Sequence, residues 1–352
     1  MRSKDFSWGE PVPTGCPSPL REEGGRIVKA HLTASLLALV AGIGLAGTPA
    51  FAQDLEKVSV VVFGPPSLGA FLPPVIEAQK FDEKNGLQVT FEERPPDAYA
   101  AQFNSGEFQV GGSAALLTVG LADIRGVDVT YLFNLFDYWG AVVTSRPEVK
   151  TLKDLEGKDL AAASGTTNYV MFNWLAKQQG VDTSKISVVN TATPGLIGYA
   201  VADRAAAVQL WEPAYTSLVT KHPDIRTLDL GIAENWEKFA GSRNLPYLGV
   251  AAHTSWVKEH PEAAEKLFTV YQQAADWVSK NPDEAAKLIV PKGTADDQAA
   301  IAALIRNNDR LGMNVRKAGE IGEEIKKVYQ AGKEVGWLPG DPKDSTIYQA
   351  GK

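Results

Sequence analysis

Short apolar runs and longer amphipathic stretches alternate along most of this chain. Val58-Ser-Val-Val-Val-Phe63 is a near-continuous apolar run, of the kind buried inside a sheet. It gives way to the turn-rich Gly64-Pro-Pro-Ser-Leu-Gly69, and the pattern then predicts a helix over 71–80 that stops at Lys84-Asn-Gly86. Residues 87–92 alternate apolar and polar as a second strand, and a helix begins over 99–104. Phe108-Gln-Val-Gly-Gly112 predicts a short strand, with Ser113 and Ala114 opening the next helix, and 127–136 predicts another strand. Strand and helix in regular alternation predict an α/β protein with parallel sheets.

After Arg146-Pro-Glu-Val the pattern starts afresh. Leu152-Lys-Asp-Leu-Glu-Gly-Lys158 leads into Asp159-Leu-Ala-Ala-Ala-Ser-Gly-Thr-Thr-Asn168, a strand, a tight turn and a helix start. Ser187-Val-Val-Asn190 predicts a strand, 196–202 a helix, and Ala206-Val-Gln-Leu-Trp211 a strand that ends at Glu212-Pro-Ala-Tyr215. From Leu245 the first unit resumes with Tyr247-Leu-Gly-Val-Ala-Ala-His253 as a returning strand. The remainder of the chain reads as helical throughout, over 261–280, 282–289, 295–308 and 318–332. Trp256, Phe268, Tyr271 and Trp277 recur there at mostly helical spacing, which is packing rather than an aromatic binding stripe.

The organisation predicted is two α/β lobes, one split (53–145 and 244–352) around one continuous (146–243), with a cleft crossed by two hinge strands. Ligands in such sheets lie beyond the carboxyl ends of strands. The small-residue turns 64–69, 112–114, 164–168 and 211–212 all fall at predicted strand ends. In the first turn of a helix the backbone N–H groups have no internal partner and carry partial positive charge. That makes Ser164, Thr166, Thr167 and Asn168 candidate ligand donors; plain helix capping by Ser164 or Thr166 is the competing reading.

The amino terminus carries a different signal. Residues 34–46 are apolar and small, preceded by Arg26, Lys29 and His31 and followed by Thr48-Pro-Ala-Phe-Ala52. This predicts a secretory signal peptide over 28–52, cleaved after Ala52. Residues 1–27 lack periodicity and are expected to be an upstream over-reading. Residues 1–52 hold five Lys/Arg and four Asp/Glu, so their removal takes the net charge from −7 to −8. With no basic cluster, nucleic acid is not an expected partner. The single cysteine, Cys16, lies in the segment expected to be removed, which excludes disulfide, thiolate and Cys–metal chemistry from the remainder.

Four segments together resemble the periplasmic solute-binding proteins of ABC importers, in the nitrate/sulfonate/taurine and thiamine-precursor-like branch. They are Phe103-Asn-Ser-Gly-Glu-Phe-Gln-Val-Gly-Gly-Ser113, the run 152–165, Lys177-Gln-Gln-Gly-Val-Asp182 with Ile186-Ser-Val-Val, and Val201-Ala-Asp-Arg-Ala-Ala-Ala-Val-Gln-Leu-Trp-Glu-Pro-Ala-Tyr215. Tyr199-Ala-Val-Ala202 departs from the polar, Gly-containing turn usual in that branch ahead of Asp203. The resemblance implies a two-lobed type II periplasmic binding-protein fold that closes on a small solute and docks to an inner-membrane permease, as a monomer without cofactor or metal. It implies capture of a sulfonate, carboxylate, nitrate-like or heterocyclic solute.

The candidate ligand-binding residues are then Ser67, Leu68, Ser113 and Ala114 from the first lobe and Tyr138 and Trp139 at the crossing. The second lobe supplies Ser164, Thr166, Thr167, Asn168, Trp211 and Glu212. Trp211 is expected to stack on or wall the ligand, and Glu212 to accept from it or to pair with an Arg such as Arg243. An enzyme on this fold is the rival reading. Against it, His222 and His260 stand in His-Pro turns, and the chain has no HExxH, Gly-rich phosphate loop, G-x-S-x-G or cysteine cluster. A sensory binding module would use the same cleft.

Overall fold

The computed structural model describes residues 55–349. The expected signal peptide, the upstream segment and Cys16 lie outside them.

Eleven strands among these residues form two sheets. The first holds β1 (Glu56–Phe63), β2 (Leu87–Arg94), β3 (Val110–Ala115), β4 (Val129–Asp137), β10 (Pro246–His253) and β11 (Met313–Lys317), in the order β11-β4-β10-β3-β1-β2. The second holds β5 (Gly140–Thr144), β6 (Asp159–Ala162), β7 (Ser187–Asn190), β8 (Ala207–Trp211) and β9 (Arg226–Leu228), in the order β7-β6-β8-β5-β9. The α/β class and the two-lobed architecture expected from the pattern are therefore present.

Neither sheet is purely parallel, contrary to the simple alternation. β1 pairs parallel with β2 and β3, but the returning β10 runs antiparallel between β3 and β4. In the second sheet β6 is parallel to β7 and β8, while β5 is antiparallel to β8 and β9. β5 and β10 come directly after the passages between sheets, the outward one and the return, while β11 pairs antiparallel with β4 at the edge of the first sheet.

The outward passage lies at the expected crossing, ahead of the point where the pattern restarts at 146. β4 ends at Asp137, and β5 already belongs to the second sheet, so Tyr138-Trp139 is the link. The return is β10, as expected, preceded by the helix Ile232–Ala240. The two passages touch where the Tyr138 N–H donates to the Leu245 carbonyl at 2.7 Å. Beside the return, Trp174 packs edge-on to Trp236 with ring centres 5.6 Å apart, and Trp236 donates to the Asn244 carbonyl.

The cores track the apolar runs. Val60, Val61 and Val62 of β1 are fully buried, as are Leu160 and Ala161 of β6. The helix Pro261–Lys280 buries Leu267, Val270, Tyr271 and Val278 in the core. Phe268, Trp277 and, from the preceding helix, Trp256 pack partly buried against it, so the four aromatics are packing residues as expected. β11, which the wholly helical reading of the carboxyl-terminal part does not foresee, is a half-buried edge strand.

Candidate functional site

In the first lobe, the end of β1 and the strand β3 are pinned together. Ser113 Oγ accepts from the Phe63 N–H at 2.8 Å, and Ser67 Oγ donates to the Phe63 carbonyl at 3.2 Å. Gly69 lets the loop lie on β3, because a Cβ there would collide with Ser113 Oγ. Ser113 and Ala114 do not open a helix. They sit inside β3, fully or almost fully buried, and the next helix is Leu116–Ile124. Two glycines before an apolar run read as a turn, but β10 pairs with this stretch and extends the strand through Ala115. Leu68 belongs to the core.

In the second lobe, the turn after β6 leads into the helix Thr167–Gln178, as the sequence pattern predicts. Ser164 is tied down by Asn190, whose Oδ1 accepts from both its N–H and its hydroxyl at 2.9 Å. Thr166 caps the helix: its Oγ1 accepts from the Tyr169 N–H and donates to the Ala163 carbonyl. The capping reading thus holds for Thr166. Thr167 and Asn168 are different. Both are buried (3% exposed), and Thr167 Oγ1 and Asn168 Oδ1 have no hydrogen-bond partner among the described residues.

Around Asn168 the lobes meet in a polar knot. Asn168 Nδ2 donates to the Tyr247 hydroxyl at 2.7 Å, and its carbonyl accepts from Gln209 Nε2 at 2.7 Å and from the Tyr138 hydroxyl at 3.3 Å. The Tyr138 and Tyr247 rings stand edge to face, 5.6 Å apart. Burial pushes both phenols well above the usual tyrosine range, so they act here as neutral donors and acceptors. Gln209 Oε1 is also buried and unpartnered among the described residues.

Trp139, Trp211 and Glu212 belong to a neighbouring assembly. Glu212 is 1% exposed, and its carboxylate accepts from Arg310 Nη2 at 2.5 Å and from both the hydroxyl and the N–H of Thr216. The Arg310 guanidinium lies over the Trp139 and Tyr215 rings, 5.3 and 4.8 Å from their centres. Glu212 therefore does pair with an arginine, but not Arg243, which meets Glu237. Trp211 is 8% exposed and packs in the second lobe's own cluster with Ala141, Val143, Leu210 and Ala214. That gives it a core position.

The structure thus joins Tyr138 to Asn168, Ser67 to Ser113 through Phe63, and Trp139 to Glu212 through Arg310. Among the described residues no hydrogen bond links the Ser67–Ser113 pair to the Thr167–Asn168 turn. Sequence reasoning passed over Gln209, Tyr247, Asn190, Tyr215 and Arg310. Gln209 carried a readable signal, as a lone amide in an apolar strand. Arg310 carried none, because its partner is 98 residues away. Of the histidines, His253 Nε2 bonds the Phe103 carbonyl and His260 pairs with Glu56. Among the described residues no His, Cys, Asp and Glu come together as a metal site, and no helix is long and apolar enough to cross a membrane.

The NMT1/THI5-like family model matches residues 76–285. The chain belongs to the NMT1/THI5-like family. Among curated proteins it is similar to a putative binding protein of Brucella abortus, 22% identical over 56% of this chain and 57% of that protein. The matched region thus spans little more than half the length of that relative. It is also similar to a putative aliphatic sulfonates-binding protein of Bacillus subtilis, 21% identical over 72% of this chain and 75% of the relative. Among solved structures, the periplasmic aliphatic sulphonate binding protein of Escherichia coli superposes with a TM-score of 0.67 at 14% identity, covering 84% of this chain and 92% of that one. The alkanesulfonate-binding protein of Xanthomonas axonopodis, bound to MOPS, gives 0.67 at 14% identity over 84% and 98%. This family member therefore has the fold of the periplasmic binding proteins, and the relatives named are binding proteins rather than enzymes.

Proposed function

We propose that this chain is the solute-binding component of an ABC-type importer, exported through a signal peptide cleaved after Ala52. It captures a small organic anion, a sulfonate in the first instance, and delivers it to a membrane permease without catalysing a reaction. The observation that carries this reading is the start of the helix Thr167–Gln178. The helix begins at the carboxyl end of a parallel strand, against Tyr138 and Tyr247 at the lobe boundary, and holds a buried hydroxyl without a partner among the described residues. First-turn N–H groups and that hydroxyl suit a tetrahedral or trigonal oxyanion. No cation is needed for this reading, and the nearby Arg310 already answers Glu212. The names of the Bacillus and Xanthomonas relatives support a sulfonate as the first solute to try.

Ligand binding to the native state alone raises the melting temperature. Thermal-shift screening of the secreted form against sulfonates, nitrate, bicarbonate, aromatic acids and pyrimidines tests the proposal. Stabilisation by a sulfonate is expected, weakened by roughly 1–2 kcal/mol in Thr167→Val. A flat response to every anion would remove the reading.

A further inference from the structure

We infer that Gln209 sets specificity, by demanding that the captured solute carry a hydrogen-bond donor as well as its anionic group. The inference rests on the binding role proposed above for the Thr167 turn. Gln209 is fully buried in β8, where its neighbours Val208 and Leu210 are apolar, so an amide there has to be satisfied from within the fold. Half of it is: Nε2 donates to the Asn168 carbonyl at 2.7 Å. That bond also fixes which way the amide points. Turning it over would set Oε1 against a carbonyl oxygen, two acceptors facing each other. Oε1 is therefore an acceptor, and it has no donor among the described residues.

Asn168 is the neighbour of this amide, one residue into the helix. Its carbonyl takes bonds from Gln209 and Tyr138, and one end of its side-chain amide meets the Tyr247 hydroxyl, which can donate or accept, leaving the other end without a partner among the described residues. One fixed side-chain acceptor, Gln209 Oε1, thus lies without a donor among the described residues beside a helix start that offers N–H groups. A solute that is only an anion would satisfy the helix and leave Gln209 Oε1 bare, with its desolvation uncompensated. A solute with an N–H or O–H a few bonds from its anionic end answers both halves. Discrimination of this kind is strong because the site, and not only the ligand, is penalised when the donor is missing.

Three probes of one size separate the alternatives: ethanesulfonate, which has no donor, isethionate, which has a hydroxyl, and taurine, which has an ammonium. Calorimetric titration of the secreted form should rank isethionate or taurine at least about tenfold tighter than ethanesulfonate. In Gln209→Leu that ratio should fall to about one. Equal affinity of the unaltered protein for all three would overturn the inference and leave the sulfonate reading standing. A ratio unchanged by Gln209→Leu would overturn it too, and give Oε1 to a trapped water. Binding of none of the three would sink both. If the Leu variant does not fold, Gln209→Met keeps the side-chain length, and the ranking by the unaltered protein decides without any variant.

Discussion

At the scale of single residues, the pair Glu212–Arg310 shows how a buried charge is held. Glu212, just ahead of the helix Ala214–Lys221, accepts from the Thr216 N–H of its first turn, where the helix dipole favours an anion. Arg310 neutralises it from a distant part of the chain and lies over two aromatic rings. Removing the arginine leaves a buried carboxylate with a hydroxyl and one N–H. Arg310→Ala is therefore expected to destabilise by roughly 1–3 kcal/mol. Adding Glu212→Gln should restore part of that, and urea unfolding of the single and double variants measures the coupling. Trp211 is also a matter of packing. Trp211→Ala opens a void in the second lobe's core and should cost roughly 3–5 kcal/mol in the same assay. A loss of ligand affinity with unchanged stability would instead return Trp211 to the cleft wall.

At the scale of elements, the helix Thr167–Gln178 divides its first residues between two tasks. Thr166 spends its hydroxyl on the cap, and Ser164 spends both its hydroxyl and its N–H on Asn190, so the turn is rigid before any ligand arrives. Thr166→Ala should cost about 1 kcal/mol of stability, as loss of an N-cap commonly does. Since it also loosens the turn that positions Thr167, ligand affinity should fall with it. Thermal denaturation with and without ligand separates the two effects. The elements differ in how readily they are read. Ser187–Asn190 and Pro261–Lys280 stand where the apolar pattern puts them. β5, β9 and β11 escape it for separate reasons. β5 continues the apolar run of β4 with only Tyr138-Trp139 between. β9 is three residues long, and β11 is a polar edge strand whose pairing with β4 does not depend on its side chains.

At the scale of the whole molecule, the acid response comes from where carboxylates are paired. Asp297 accepts from Lys221, from the helix after β8, and caps its own helix through Thr294. These bonds hold its pKa down at about 2, below the ordinary aspartate range. A depressed carboxylate stabilises the fold above the unfolded value and loses that contribution as the pH falls through the folded one. Asp154, Asp182 and Asp203 are shifted the same way by their own hydrogen bonds. Asp137 opposes them, because burial raises its pKa against the help of Asn314 and Arg316; its contribution is present at low pH and lost as the pH rises. Glu156 is lowered as well and Glu77 raised by burial, so five lowered carboxylates stand against two raised, and stability should drop between about pH 4 and 2. Asp297→Asn should flatten that drop in a pH series of melting temperatures.

The chain's own pattern determined the α/β class, the split of one lobe around the other and the turn at 164–168, because burial imposes period and strand-end turns require small polar residues. Only the tertiary structure decided how those pieces work together. It put β10 antiparallel into the first sheet, consumed Ser113 and Glu212 in internal bonds, and set Gln209 and Tyr247 around Asn168. Spacing along a chain fixes which face a side chain takes within its own element. Which distant group meets it there depends on how sheets pair and pack, and for that reason Thr167 Oγ1 is left without a partner among the described residues.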